Sequence, residues 1–181
     1  MKKLINKLLM LATEYMPARA IDLDGKHYIE RYHVIKIGKL HVMLHRYLGS
    51  DGDREVHSHP WKTCIGIPLC GGYTEERVIA FSIDGWKSRM VNVRPWRWNF
   101  MGPMSYHRVA HVESGTWTMF ITWNKFNDWL FADKVLGGVE LKQPYDIAAT
   151  REWRKTADKG WLFRRKRGTM QSTTKTTNNP L

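Results

Sequence analysis

Between Ile29 and Trp123 the chain is cut into short extended runs, most of them closed by a glycine, proline or aspartate. The breaks recur roughly every 8–12 residues and give about eight or nine strands, a spacing that fits a sandwich or barrel rather than strands linked by crossover helices. "LHVMLHRYL" is the clearest run. Leu40, Val42, Leu44 and Leu48 fall on one face, and His41, Met43, His45 and Tyr47 on the other, the period-two alternation of a strand. Turns are expected at Gly25, Gly38, "GSDGDRE", Asp84-Gly85 and "MGPM", with strand breaks at Pro68 and Gly71-Gly72. "SYHRVAHV" and "WTMFITW", joined by "ESGT", read as a hairpin.

The two ends differ from this middle. In "MKKLINKLLMLATEYM", Asn6 and Lys7 interrupt the apolar stretch too early for a signal peptide. Leu4, Ile5, Leu8, Leu11 and Ala12 share a helical face, so an amphipathic helix is expected within residues 1–20. The barrel is placed at residues 21–130. Residues 131–163 are expected to cap it, together with the aromatic "FNDWLF" at 126–131, and Tyr145 to Ala157 is expected to be partly helical. Residues 164–181 read as a basic, disordered tail, poor in apolar side chains and rich in Thr, Asn, Ser and Gln.

The formal charge of +12 is concentrated at that end. Residues 151–181 carry nine bases and two acids, against twenty and fifteen in the preceding 150 residues. Arg164, Arg165, Lys166 and Arg167 form a run that could meet nucleic-acid phosphates, although no aromatic interleaving or recognition module surrounds it. No apolar run reaches the roughly 20 residues of a membrane span. The two cysteines, Cys64 and Cys70, would lie on one face of a strand about 20 Å apart, too far to bridge. They read as buried thiols of a reducing compartment, and a cytoplasmic location is expected.

"VHSHPW", residues 56 to 61, carries the chemistry. On extended backbone, residues i and i+2 face the same side, nearly 7 Å apart at Cα, so His57 and His59 can aim two imidazoles at one point. Two neutral imidazoles hold a divalent ion weakly, and further ligands must come from elsewhere. His107, in "GPMSYHRV", is the candidate third.

This pairing of HxH with a distant histidine resembles the cupin superfamily, whose jelly-roll barrels take HxH from one motif and a further histidine from a second, roughly PxGxxH. The stretch "LHRYLGSDGDREVHSHPW…GGYTEE…YHRV" looks like small cupin-like proteins frequent in bacteriophage genomes, over roughly residues 40 to 123. The resemblance implies an all-β fold: a cupin-type double-stranded β-helix, or jelly-roll barrel, with a short N-terminal helix and a partly helical C-terminal extension. It also implies host cytoplasm if the protein is phage-encoded, and barrels that pair as a dimer.

One departure matters. The superfamily's glutamate, a few residues after HxH, is missing; Lys62-Thr63-Cys64 stands there. Either the site is three-histidine (His57, His59, His107), or Glu75 or Glu76 reaches in as a fourth ligand or base. A three-histidine site leaves the ion's full charge for a substrate or a bound water. Fe(II) is the favoured ion, ahead of Zn(II), Mn(II) or Ni(II). The pocket around it is expected to involve His45, Arg46, Trp61, Tyr73, Tyr106 and Trp123.

Three functions follow from these residues. The first is a metal-dependent enzyme, most concretely a non-haem iron(II) oxygenase acting on a small molecule. The second is a non-catalytic module that binds a small molecule or a host component through the cavity. The third is a zinc-dependent isomerase or hydrolase with Glu75 or Glu76 as base.

Overall fold

The structure is a computed structural model, described here for residues 2–23, 26–50, 55–126, 128–135, 138–142 and 153–167. A helix, α1 (Lys2–Ala12), opens the chain. Strands β1 (Ala18–Leu23), β2 (Lys26–Ile37), β3 (Leu40–Tyr47), β4 (Val56–His57) and β5 (Trp61–Cys70) follow. Then come β6 (Tyr73–Ser82), β7 (Gly85–Val93), β8 (Asn99–Met101), β9 (His107–Val112) and β10 (Trp117–Lys125). The last elements are β11 (Phe131–Val135), β12 (Gly138–Lys142), a helical turn α2 (Trp153–Thr156), and a helical segment at 160–167. Among the described residues no helix is long and apolar enough to cross a membrane.

The strands form two six-stranded antiparallel sheets, β1-β2-β3-β10-β5-β8 and β12-β11-β4-β9-β6-β7. Such sheets bury their inner faces against each other, so alternate residues of each strand point to the shared interior. Tyr28, Ile29, Tyr47, Tyr73, Val93, Val109 and Val112 pack together in that interior. Beside them it encloses a cavity of about 770 Å³, part of whose wall Tyr28, Ile29, Tyr47, Tyr73 and Val109 form.

A second core lies outside the barrel. Ala18, Tyr32, Leu44, Cys70 and Trp117 turn to the outer face of the first sheet and meet Phe163 of the C-terminal helical segment. Removing a side chain of leucine or phenylalanine size from water, such as Leu44 or Phe163, contributes about 1.5–3 kcal/mol. Trp117 stacks on Tyr32 at 5.6 Å and donates its indole N–H to Asn6 Oδ1 at 2.8 Å, which ties α1 to the sheet.

Several expectations change. The predicted hairpin of β9 and β10 is instead a corner. Val112 pairs with Tyr73 in one sheet, while Trp117 pairs with Arg46 and Cys70 in the other. Period-two patterning gives a strand's faces, not its neighbours. The cysteines do not share a face, because β5 runs on through Pro68 with a bulge. Trp117 pairs with Cys70 but Thr118 with Pro68, so the extra residue turns Cys70 outward while Cys64 stays inside with Met43, Met101 and Phe120. Both thiols are free and buried.

On α1 the face that meets the barrel carries Ile5, Leu9 and Met10; Leu4, Leu8, Leu11 and Ala12 are exposed. In the region expected only to cap the barrel, β11 and β12 extend the second sheet. Of the expected tail, residues 164–167 are helical and partly packed down. Arg164 donates to Thr13 Oγ1, Tyr32 Oη and the Met10 carbonyl, each at 3.1 Å. The expected turns around Gly25 and residues 51–54, the segment 145–152 and the tail from 168 onward lie outside the described residues.

Candidate metal centre

His57 closes the two-residue strand β4, where it lies directly across from His107, the first residue of β9. His59 follows two residues on. The backbone between them is pinned by a hydrogen bond from the Ser58 N–H to the Leu130 carbonyl at 2.8 Å, and the Pro60 carbonyl accepts from Phe126 N at 2.8 Å. Short extended backbone held on both sides gives the same-face placement that HxH needs. All three imidazoles are buried.

One ring nitrogen from each histidine lies within 4.8 Å of the others, and these three make the only such cluster of potential ligands among the described residues. His59 Nε2 and His107 Nε2 are 2.8 Å apart. Two nitrogens bound to one divalent ion at about 2.1 Å sit roughly 3 Å apart when the bonds meet at a right angle, so the spacing suits adjacent ligands of a single ion. His59 Nδ1 is buried with no hydrogen-bond partner among the described residues. Burial, then the charges of His107, Arg31 and His45, push the His59 pKa well below its ordinary value. The ring is therefore neutral, the state a ligand requires. The donor set fits a divalent transition ion.

Glu75 stands behind this cluster. Its side chain is 1% exposed. Oε1 lies 3.1 Å from His107 Nδ1, close to it though not aligned as a straight hydrogen bond. Arg77 donates to Oε2 from Nε at 2.9 Å and Nη2 at 2.8 Å, and Asn99 Nδ2 donates to Oε1 at 2.8 Å. Asn99 also reaches Tyr73 Oη at 3.1 Å and accepts from Arg77. Burial alone would raise the Glu75 pKa, but His107 and Arg77 outweigh it and hold the carboxyl below its usual value.

Glu76 points the other way. It accepts from Trp86 Nε1 at 3.1 Å, Ser88 Oγ at 2.7 Å and Arg108 Nε at 2.6 Å, outside the cavity. The register of β6 on β9 makes this choice, and a single sequence does not contain that register.

Of the expected pocket residues, His45, Trp61 and Tyr73 line the cavity. Arg46, Tyr106 and Trp123 do not. Arg46 alternates with His45 and pairs with Glu30 at 3.1 Å on the outer face. Tyr106 packs with Val56 and Ala132, its ring 5.1 Å from Phe81. Trp123 is half exposed. Aromatic walls come instead from Phe120, Trp129 and Phe131. Phe131 is 5.7 Å from the His57 ring, and Phe120 and Trp129 are 5.4 and 5.9 Å from that of His59. "FNDWLF" signalled an aromatic cluster, but nothing in its pattern assigned it to the cavity.

Sequence reasoning also missed Arg19 and Arg31 on the facing sheet. Arg31 is 6% exposed and donates from Nε to His45 Nε2 at 3.0 Å. Burial, followed by the charges of Arg31, Arg19 and His41, keeps the His45 pKa well below its ordinary value.

No protein-family model matches the sequence, and no curated protein does. Solved structures do match. Fe(II)-HppE with the alternative substrate (S)-1-HPP superposes with a TM-score of 0.50 at 10% identity, over 61% of this chain and 57% of that one. Streptomyces PAC13 with uridine gives 0.48 at 11% identity, over 68% of this chain and 89% of that one. KdgF from Halomonas sp. gives 0.38 at 15%, over 59% and 86%. This chain thus spans little more than half the length of HppE, and at such identities the likeness speaks to fold alone. That fold is a cupin-type jelly-roll barrel, two antiparallel sheets around a cavity with three histidines on one wall.

Proposed function

We propose that the protein is a metal-dependent enzyme acting on a small molecule in the barrel cavity, with His57, His59 and His107 as the ligands. The convergence of three buried imidazole nitrogens on the wall of a cavity of about 770 Å³ carries this reading. That volume suits a ligand of metabolite to drug size. A divalent ion held there supplies Lewis-acid or redox chemistry at its open coordination positions.

The chain's own residues set the conditions. Glu75 faces His107 Nδ1 and favours the proton on that nitrogen, leaving Nε2 as the lone-pair donor. Because Arg77 and Asn99 already occupy its oxygens, this arrangement supports a positioning role for Glu75 rather than that of a base. Phe120, Trp129 and Phe131 crowd the rings and keep bulk water from them. With three neutral ligands and no carboxylate ligand in the cluster, iron(II) oxygenase chemistry is the specific version proposed.

Metal analysis of protein purified without added metal tests this reading. About one equivalent of iron, lost in His57→Ala, together with oxygen consumption on substrate, is the expected result. Zinc with no oxygen uptake would move the proposal to an isomerase or hydrolase. No metal above background in the folded protein would leave the binding module as the reading.

A further inference from the structure

The first sheet carries a transverse polar row on its cavity face. Arg19 of β1 lies directly across from Arg31 of β2, Arg31 across from His45 of β3, and His45 across from Thr118 of β10. All four line the cavity that the three histidines enter from the other sheet. Like charges directly opposite on neighbouring strands repel. A guanidinium taken out of water is costly unless a counter-charge meets it. Arg31, set face to face with Arg19 inside a barrel, therefore needs an explanation.

No acid of the described protein neutralises Arg31. Its one side-chain hydrogen bond goes from Nε to the neutral ring of His45, and no described carboxylate lies within ion-pairing distance. Glu30, its neighbour in sequence, is held by Tyr32 Oη at 2.8 Å and by Arg46. Glu75 is engaged by Arg77, Asn99 and His107. Burial pushes the Arg31 pKa down to about 9, with Arg19 adding to the push, so the group is still a cation at neutral pH. At the end of the row, Thr118 is 1% exposed and its Oγ1 has no hydrogen-bond partner among the described residues. Lys36, Lys39 and Lys125 add positive charge to the lining, against Asp128 and the engaged Glu75.

We infer that the cavity takes a small molecule bearing a carboxylate or phosphate group, gripped by the Arg31 guanidinium on the sheet facing the three histidines. With Nε given to His45, the Nη groups of Arg31 remain to meet the oxyanion as a fork. Thr118 offers a hydroxyl in the same row. The inference rests on the reading of this cavity as the substrate site of a metal centre, and it names the chemistry of the end of the substrate that does not react.

The test uses the full-length protein stripped of metal by chelation, so that no ion can supply the positive charge. Benzoate, phenyl phosphate and the neutral benzamide are titrated at low ionic strength, with binding read by calorimetry or tryptophan fluorescence. At least one anion binds saturably, about tenfold or more tighter than benzamide. Comparison of the two anions shows which oxyanion is preferred. Arg31→Met abolishes the preference, and Arg31→Lys, which keeps the charge but not the fork, restores part of it. Three results overturn the inference: no saturable binding of either anion into the millimolar range, equal binding of anion and benzamide, or a preference that survives in folded Arg31→Met. Should that variant fail to fold, the comparison on wild-type protein still decides, because equal binding of anion and amide overturns it without any substitution. Metal stoichiometry is measured separately on wild-type protein. Metal bound without an anion preference sinks only this inference, whereas an Arg31-dependent preference without metal sinks only the metal reading.

Discussion

Glu75 Oε1 stands 3.1 Å from His107 Nδ1, while the other nitrogen of that ring, Nε2, lies 2.8 Å from His59 Nε2. A carboxylate behind a ligating imidazole fixes its tautomer and raises its basicity, and loss of such a partner typically costs about 10–100-fold in metal affinity. Glu75→Gln is expected to lower affinity for a divalent ion by that factor, measured by competition with a chromophoric chelator. Glu76→Gln, altered one residue away on the opposite face, should leave metal affinity unchanged.

The difference between these two glutamates marks where sequence reading stops. Histidines at 57 and 59 announce a shared side through their spacing alone, and His107 follows from a second motif. The side on which Glu75 or Glu76 lies relative to His107 depends on the pairing of β6 with β9, which shifts between Thr74 and Glu75. That shift is a tertiary fact. Arg31 was illegible for a related reason: Glu30 and Arg31 are both charged and both buried, on opposite faces, so β2 shows no alternation there. In α1 two apolar stripes compete, and only the barrel surface selects Ile5 and Leu9 over Leu4 and Leu8. The strands themselves were legible because period two is a local property. Nine of them, β2 to β10, cover the stretch from Ile29 to Trp123.

Trp117 is fully buried where α1, the C-terminal helical segment and the first sheet meet. Replacing it with alanine removes the stack on Tyr32 and the hydrogen bond to Asn6, and leaves a large void. Trp117→Ala is expected to cost about 3–5 kcal/mol in chemical denaturation. Asn6→Ala should cost about 1 kcal/mol through the single hydrogen bond.

Arg164 separates a structural from a nucleic-acid role for the basic end. It bridges Thr13, Tyr32 and the Met10 carbonyl, with its guanidinium 5.6 Å from the Tyr32 ring centre. Arg164→Ala should lower stability by about 1–3 kcal/mol. Lys166→Ala, which removes only an exposed ion pair with Asp158, should cost about 1 kcal/mol or less. Equal effects of the two substitutions on thermal unfolding would contradict the packing described here.

Cys64 lies among Met43, Met101 and Phe120, and burial pushes its thiol up to about 12. The thiolate is the reactive form and is scarce at pH 8. Iodoacetamide at pH 8 should leave Cys64 unmodified in the native protein and alkylate it in denaturant, as read by peptide mass mapping.

Glu76 supplies a pH dependence whose sign can be worked out. Partial burial would raise its pKa, but hydrogen bonds from Ser88, Trp86 and Arg108, with that guanidinium's charge, bring it below the ordinary value of 4.5. The folded state therefore holds the proton less tightly than the unfolded chain does. Its stabilisation is fully present above about pH 4.5 and disappears as the pH falls through the lower, folded-state pKa. In urea titrations the gap between wild type and Glu76→Gln should be constant from pH 7 to about 5 and close on further acidification. At neutral pH about 1–3 kcal/mol is expected for hydrogen bonds to a charged group. A gap that widened toward acid would mean that the carboxyl is bound in its protonated form, and that the contact with Arg108 contributes nothing to the fold.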